Sequence, residues 1–426
     1  MKRLTTQFLI QKLTNLKPSL DNFFIILILL GIPLNLYKNR FYDSSWTVGE
    51  WLISYAGGFV RRGLPGQIIH HISNEYLISP ILLVWIFSVL AFISLAILLL
   101  HFCKDLFDKS FLLSQVILLA PISENYLIRK DTLLVLLYGL SLLVIKKFNQ
   151  EKISKFSCIL FVNLFSIIGI LSHEAYGIWG LPSLIVIFYL LNRGIKKGIF
   201  RSILFALFYL IPSIISFAFC WIFKGDVQQA LLIHESWQNL KDILPSIWTL
   251  NESKPYGAIA AIGWGTSQIY TSSLFSQFNL FIFWHPGMWL LTMYIVLRLF
   301  IGKKHDPFKS AKRSIVCLQL IAFLPLFLFV DIGRWIYMWL SSSALLFAFL
   351  IKVFGIKKIL FHTDGFKGAR FLKKIIPTFA SNKTYNIFLL SIGLPHCCWS
   401  IGRYIVSNPI GFGIKNIIFY FKFLFA

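Results

Sequence analysis

The chain has 426 residues, of which 57% are hydrophobic and 14% are charged, and its mean hydropathy is +0.73. Soluble domains are about 45–50% apolar, so this composition excludes an ordinary soluble protein and predicts a membrane protein. The formal net charge of +24 does not indicate nucleic-acid binding, because the Lys and Arg residues lie in short segments beside apolar runs, as topology signals do.

Apolar runs that approach the length needed to cross a bilayer recur from the N-terminus onwards. They do not alternate like the strands of a transmembrane β-barrel, so we predict an all-α, polytopic fold with about eleven transmembrane helices, within a range of about 10–13. We treat 1–426 as one transmembrane domain, with an apolar tail at 413–426. The predicted spans are 21–37, 79–101, 110–123, 131–146, 157–172, 177–192, 202–223, 279–300, 314–331, 335–354 and 385–402.

The distribution of positive charge predicts a cytoplasmic N-terminus, because most of the 41 Lys and Arg residues then lie on the cytoplasmic side. That side includes a basic loop at 355–384. The other side receives a first external loop, 38–78, and a long external loop, 224–278, in which QQALLIHESWQNLKDIL has the spacing of a surface helix. Acidic residues contribute little to topology, yet most of the 17 lie on this outer side. They are Asp43, Glu50, Glu75, Glu124, Asp131, Glu174, Asp226, Glu235, Asp242, Glu252 and Asp331.

Four short charged segments share the outer side. They are YDSSWTVGEWLISYAGGFVRRGLPGQ at 42–67, SENYLIRKD at 123–131, LSHEAYG at 171–177 and DIGRW at 331–335. Ionisable groups at a membrane boundary are costly and usually face a cavity or one another. Four such segments on one side therefore indicate a site. Its candidate residues are Asp43, Glu50, Arg61, Arg62, Arg129, Asp131, His173, Glu174, Asp331 and Arg334.

Each segment taken alone also has a structural interpretation. Arg129 and Lys130 can extend along the membrane to reach the interface, and the His173–Glu174 pair can be a polar turn. Asp331 and Arg334 have the spacing of an ion pair on one helix face. The first segment can be an amphipathic surface helix, although its Gly and Pro residues favour a shaped loop.

The residue types suggest a chemistry. Arginines bind phosphate or diphosphate through charge-assisted hydrogen bonds, and a carboxylate or His can remove a proton from a hydroxyl. Trp and Tyr rings such as Trp46 and Trp51 can stack on a sugar, although both types are also common at membrane interfaces. A lipid-linked phosphosugar would use all three features. We therefore predict Glu50 or Asp43 as the catalytic base and the remaining candidate residues as substrate-binding groups.

The segment LAPISENYLIRKDTLLVLLYGLSLLVIKK, 119–147, together with the acids of the first external loop, resembles the GT-C superfamily of membrane glycosyltransferases. In that superfamily the first external loop carries a catalytic acid, and an Arg and an Asp stand at the external start of span four. Arg129 and Asp131 occupy the matching places here. The chain departs from the usual paired-acid motif, since it has GEW and GGFVRRGL instead, and we predict no soluble C-terminal domain.

The resemblance implies an enzyme of a bacterial inner membrane that acts at the outer face. It would transfer a sugar from a polyprenyl-phosphate donor to a glycan or lipid acceptor, in the synthesis of cell-envelope polysaccharide or glycolipid. The predicted partners are this donor, the acceptor and membrane lipids, and not nucleic acid. Some GT-C enzymes use a divalent metal ion. The scattered acids and the pair His70–His71 do not define a metal site, so we predict no cofactor and leave a metal ion open.

Three other interpretations stay open. The chain also resembles the polymerases of O-antigen and capsule assembly, which join repeats carried on a polyprenyl diphosphate. A transporter or flippase of such lipids belongs to another class and would place polar groups near the bilayer midplane, often on broken helices. A non-catalytic scaffold would leave the four charged segments far apart.

Overall fold

A computed structural model of the chain describes residues 19–38, 46–124, 126–192, 198–238, 240, 255, 257–264, 284–328, 331–355, 376–396 and 399–424. This part of the chain is α-helical, with 3-10 turns at Gly49–Leu52, Tyr126–Ile128, Ala261–Gly263 and Leu326–Leu328. The α-helices are α1 Leu20–Lys38, α2 Gly63–Tyr76, α3 Pro80–Cys103, α4 Lys109–Leu113, α5 Ala120–Ser123, α6 Asp131–Asn149, α7 Lys155–Ser172, α8 Ala175–Asn192, α9 Ile199–Tyr209, α10 Ile211–Ile222, α11 Val227–Gln238, α12 Gly257–Ala260, α13 Trp284–Ile301, α14 Lys309–Phe323, α15 Ile332–Phe354, α16 Asn382–Ser391, α17 Ile401–Ser407 and α18 Pro409–Leu424.

Helices α6 and α15 form the centre of the bundle. α6 packs against α3, α7 and α15, and α15 also packs against α3 and α14. Residues 332–349 of α15 are all buried. Trp339 of this helix donates a hydrogen bond from Nε1 to the carbonyl of Val316 in α14 at 3.0 Å. Because α6 and α15 lie side by side, the charged residues at their first turns are brought together.

Five helices of the described residues are long and apolar enough to cross a membrane: α1, α3, α7, α8 and α15. A sixth span is obtained if α9 and α10, which meet at an angle of 68°, form one broken crossing. This part of the chain has the character of a helical membrane protein with several spans. It does not confirm the predicted eleven spans.

The predicted span 110–123 is not a continuous helix. The chain forms α4, turns at Ser114 and forms α5 only from Ala120. The Ser114 hydroxyl donates to the carbonyl of Phe111 at 2.8 Å and accepts the amide N–H of Val116 at 3.2 Å, so local bonds replace the helical ladder. Residues 111–123 are buried, and irregular backbone is tolerated at membrane depth where protein surrounds it. Hydropathy alone does not distinguish such a segment from a helix.

The predicted span 385–402 is interrupted in the same way, because α16 ends at Ser391 and α17 begins only at Ile401. The predicted span 314–331 also ends early, since α14 stops at Phe323. The predicted span 279–300 corresponds to α13, although 279–283 lie outside the described residues. Most of the apolar tail 413–426 belongs to α18, which packs against α1.

Two glycines allow close contacts that shape the charged end of the bundle. A Cβ on Gly66 would lie 2.0 Å from the carbonyl oxygen of Ile53, so the first turn of α2 rests directly on the segment that follows Gly49–Leu52. A Cβ on Gly333 would lie 2.1 Å from the carbonyl oxygen of Pro395 and 2.5 Å from the Tyr126 hydroxyl. The start of α15 is thus held against the backbone of 394–396.

We predict that Gly333→Ala lowers the free energy of unfolding by about 1–3 kcal/mol, the usual cost of overpacking. The added methyl group cannot fit beside the Pro395 carbonyl unless the two segments separate. Thermal unfolding of the purified protein in detergent measures the effect. Gly402→Ala is the control, because a Cβ at this helical position meets nothing within 4 Å. Equal midpoints for the two variants would contradict the close contact.

Candidate functional site

The four charged segments predicted to share one side meet at one end of the bundle. The first comprises the 3-10 turn Gly49–Leu52 and the loop before α2, and the second joins the turn Tyr126–Ile128 to α6. The third connects α7 to α8, and the fourth begins α15. We call their connected ion pairs and hydrogen bonds the charge cluster. Its members are Glu50, Arg61, Arg62, Arg129, Lys130, Asp131, His173, Glu174, Asp331, Arg334 and His396.

Arg334 lies at the centre of the charge cluster and its side chain is only 2% exposed. Its Nε and Nη2 donate to both carboxylate oxygens of Asp131, at 2.6 and 2.7 Å. Its Nη1 donates to Oδ2 of Asp331 at 2.6 Å. A planar guanidinium matches a carboxylate in this two-point fashion. The predicted Asp331–Arg334 pair exists, but the stronger contact is to Asp131, which lies 203 residues away in the chain.

Glu50 is buried among three positively charged or titratable side chains. Its Oε1 lies 3.4 Å from Nη1 of Arg129, 3.6 Å from Nη2 of Arg334 and 3.9 Å from Nε2 of His173. Burial alone would raise the pKa of Glu50, but the charges of Arg334 and Arg129 outweigh it and lower the pKa to about 2. Glu50 is therefore ionised at neutral pH, and one of its buried carboxylate oxygens, Oε2, has no hydrogen-bond partner among the described residues.

Arg61 and Arg62 share one carboxylate, that of Glu174. Arg61 Nη1 lies 3.2 Å from Oε1 of Glu174, and Arg62 Nε donates to Oε2 at 2.7 Å while its Nη2 contacts Oε1. Burial would raise the pKa of the Glu174 carboxyl, but the two arginines hold it well below its usual range. Arg62 has a left-handed backbone, with φ of 67°. Such a conformation is strained for a residue with a side chain, and the two contacts to Glu174 fix it.

Lys130 does not reach the membrane interface, because its side chain is fully buried. Its Nζ donates to the carbonyl of Arg62 at 3.0 Å and to the carbonyl of Ser172 at 3.1 Å. Burial lowers the pKa of the Lys130 amine to about 7. Lys130 thus joins the first, second and third charged segments through their backbone. Arg129 is also buried rather than extended to solvent.

His173 faces Glu50 as a neutral ring. The amide N–H of Ala175 donates to His173 Nδ1 at 3.2 Å, and this contact assigns the ring proton to Nε2, the nitrogen on the Glu50 side. Burial lowers the pKa of the imidazole to about 3. The short turn between α7 and α8 thus directs the uncharged Nε2–H of His173 towards Glu50. The next residue, Glu174, places its carboxylate against Arg61 and Arg62.

The sequence analysis did not assign His396 to the site. Its Nε2 lies 2.9 Å from Oδ1 of Asp331, and its backbone N–H donates to Oε2 of Glu124 at 3.3 Å. Burial is the main cause that lowers the pKa of the imidazole. His396 lies within the predicted span 385–402, so the hydropathy assignment concealed it. Two sequence signals pointed to it: His396 is a polar residue within an apolar run, and the preceding Pro395 can interrupt a helix. Glu124 was recognised as an outer acid without a role.

The remaining predicted segments have different outcomes. Asp43 lies outside the described residues, as does most of the basic loop 355–384. The surface helix predicted in the long external loop corresponds to α11, and it covers the first loop. Trp237 of α11 donates from Nε1 to the carbonyl of Leu52 at 2.7 Å. Among the described residues no group of three His, Cys, Asp or Glu side chains is arranged to hold a metal ion.

The apolar helices and the charged helix ends together define a helical, multi-pass membrane protein. A profile of the family described as uncharacterised membrane protein Rv1490 matches residues 24–252. The match spans more than half of the 426 residues, so the chain belongs to this family. No curated protein and no solved structure matches the chain. The family description states no activity, and the resemblance to GT-C enzymes stays a prediction.

The family match covers three of the four charged segments. Residues 24–252 contain Glu50, the arginine pair, the Arg129–Asp131 segment and the His173–Glu174 turn. Arg334 lies beyond the match, although it forms the two-point contact to Asp131 within it. The charge cluster therefore joins the matched part of the chain to the part that follows it.

We predict that Arg334→Met lowers the free energy of unfolding by about 3–5 kcal/mol, because it leaves Asp131 as an unpaired buried charge. The double variant Arg334→Met with Asp131→Asn removes that charge and should recover part of the loss. Chemical denaturation in detergent gives the coupling between the two changes. Simple addition of the two single effects would show that the contact is absent in solution.

We also predict an acid-sensitive stability that depends on Glu50. Its folded-state pKa of about 2 is lower than the ordinary 4.5, so the unfolded chain binds more protons in acid. The stabilisation, on the order of 3 kcal/mol, is present above pH 4.5 and is lost as the pH falls towards 2. Thermal midpoints between pH 7 and pH 3 should fall more steeply for the wild type than for Glu50→Gln. Parallel curves for the two proteins would refute this assignment.

Proposed function

We propose that this protein is a membrane glycosyltransferase that takes a sugar from a polyprenyl-phosphate donor at the outer face of a bacterial inner membrane. The observation that carries the proposal is the surplus positive charge at Arg61 and Arg62. These two arginines share one carboxylate, and their side chains are 16% and 23% exposed, against 8% for Arg129 and 2% for Arg334. They are thus placed to receive an anion from outside the protein.

The phosphate chemistry follows from the donors that Arg61 and Arg62 offer. A guanidinium has five N–H groups, and the contacts to Glu174 use three N–H donors of the two side chains. A phosphate monoester with one hydrocarbon substituent presents several oxygens to such a pair. In the proposed reaction these arginines hold the polyprenyl phosphate as it leaves the sugar.

Glu50 is the proposed base. The acceptor hydroxyl oxygen forms the new bond to the anomeric carbon, and the bond from that carbon to the phosphate oxygen breaks. The electron pair stays on the leaving polyprenyl phosphate, and the hydroxyl proton passes to Oε2 of Glu50, the oxygen without a described partner. A carboxylate with a pKa of about 2 is a weak base. Its basicity rises when the negative phosphate offsets the charge of Arg62, which is one of the causes of the low pKa.

The other members of the charge cluster have positioning roles in this proposal. Asp131 holds Arg334 in place through two hydrogen bonds, and Arg334 lies 3.6 Å from Glu50. His173 keeps its N–H on the side of Glu50. Asp331 is 27% exposed, the most accessible carboxylate of the cluster, and is suited to orient the acceptor. Polymerisation of diphosphate-linked repeats would use the same groups and differs in the leaving group.

A transporter of the same lipids is the second candidate, and the interrupted crossings favour it. The segments 109–123 and 382–396 are broken, as is α9–α10, which bends by 68°, and transporters often carry broken helices at their binding site. Against this, Gln319, Ser183 and Tyr138 in the interior are hydrogen-bonded to one another rather than charged. The charge cluster lies at one end of the bundle, and this position favours chemistry at one face of the membrane.

We predict that Arg61→Ala, Arg62→Ala and Glu50→Gln each lower sugar transfer by about 10²-fold or more, the usual effect of losing one electrostatic or basic group. The assay measures incorporation of labelled sugar from a polyprenyl-phosphate donor by membranes that carry each variant. Arg201→Ala is the control, because Arg201 is exposed and lies on α9, away from the charge cluster. Wild-type rates for Arg61→Ala and Glu50→Gln would sink the proposal.

A further inference from the structure

An apolar groove of about 440 Å³ opens beside the segment that carries Arg61 and Arg62. This volume is in the range of small-molecule sites, about 300–1,000 Å³. The groove lies between the end of α7 and the outer side of α10. It is lined by Phe59, Leu171, Ile215, Ser216, Phe219 and Phe223.

The groove adjoins the segments that carry the arginine pair and Glu174. The backbone N–H of Arg61 donates to the carbonyl of Phe223 at 3.1 Å, and Phe59 stands two residues before Arg61. Leu171 stands three residues before Glu174 on the other wall. The apolar groove therefore lies next to the arginine pair, an arrangement that complements an amphiphilic anion.

The walls of the groove face away from the bundle. Ile215, Phe219 and Phe223 are about half exposed, and in a helical membrane protein such a surface meets hydrocarbon rather than water. Among the described residues that line the groove, Ser216 alone has a polar side chain, and its hydroxyl donates to the carbonyl of Pro212 in the same helix at 2.9 Å. The groove thus offers a bound chain an apolar surface.

The position of α10 is fixed by a buried asparagine. Asn163 of α7 donates from Nδ2 to the carbonyl of Tyr209 at 2.7 Å. Its Oδ1 accepts the backbone N–H of Ser213 at 3.2 Å and the Ser213 hydroxyl at 2.7 Å. These bonds satisfy the backbone on both sides of the 68° bend between α9 and α10. The groove wall is therefore held in place without a ligand.

We propose that this groove binds the hydrocarbon chain of a lipid phosphate, whose phosphate takes Arg61 and Arg62 in place of Glu174. The inference rests on the proposed function, since its occupant is the lipid phosphate of that reaction. Glu174 is the internal counter-ion of the arginine pair, and its two oxygens accept from three N–H donors of these side chains. Arrival of the phosphate releases Glu174, and departure of the lipid lets Glu174 return.

The test uses the full-length protein in lipid nanodiscs and a photoreactive undecaprenyl phosphate with a diazirine in its chain. Labelled peptides identify the residues that contact the chain. We expect labelling on α10 and near Phe59, and at least a tenfold weaker signal for Ser216→Trp, which fills the groove. Ala218→Trp is the matched control, because residue 218 is exposed on the same helix and does not line the groove. It should label like the wild type.

Further variants separate the head from the chain. Phe219→Ala removes an exposed wall of the groove and should weaken labelling even if Ser216→Trp does not fold. Polyprenol with the same diazirine lacks the phosphate and should label weakly, as should undecaprenyl phosphate on the Arg61→Ala, Arg62→Ala double variant. Glu174→Gln removes the competing charge and should strengthen binding of undecaprenyl phosphate. Two results would overturn the inference: polyprenol that labels as strongly as undecaprenyl phosphate, or labelling that is unchanged in both Ser216→Trp and Phe219→Ala.

The binding assay and the transfer assay can fail separately. Binding in the groove without any sugar transfer would refute the proposed function and leave the lipid-phosphate site standing. Normal transfer by Ser216→Trp and Phe219→Ala would refute the groove and leave the glycosyltransferase proposal standing.

Discussion

The two-point contact between Arg334 and Asp131 is the interaction on which the rest of the charged end depends. Both side chains are buried, and neither charge is tolerated there without the other. The contact requires the first turns of α6 and α15 to lie together at the centre of the bundle. Arg129 precedes Asp131 by two residues, and Asp331 precedes Arg334 by three. The contact between the two helix starts therefore also brings Arg129 Nη1 to 3.6 Å from Oδ2 of Asp331.

The balance between positive and negative charge differs between the central and the outer part of the charge cluster. In the central part each cation is compensated, because Arg129 and Arg334 face three carboxylates, those of Glu50, Asp131 and Asp331. In the outer part the cations are not fully compensated, because two arginines share Glu174. A buried, compensated core gives rigidity, and an exposed, undercompensated edge gives affinity for an anion. This separation links the structure of the cluster to its proposed chemistry.

The sequence indicated which residues form the charge cluster better than it indicated the crossings. Charged residues in an apolar chain are few and costly, so Glu50, Arg61, Arg129, Glu174 and Arg334 were recognisable, and all lie in the charge cluster. The segment 110–123 was misread because its hydropathy equals that of a span. Its Ser114 hydrogen bonds and its burial inside the protein are set by neighbours distant in sequence. His396 was missed for the same reason.

By itself, the sequence determined that this is a helical membrane protein and that four charged segments adjoin its apolar runs, because hydrocarbon demands long apolar helices and excludes unpaired charge. Only the tertiary structure decided which charge meets which. Arg334 contacts Asp131 through two hydrogen bonds, whereas sequence spacing indicated only the contact to Asp331. Lys130 points inward and donates to two carbonyls, and His396 contacts Asp331. Pairing depends on distances between helices, and those distances follow from packing that no local pattern contains.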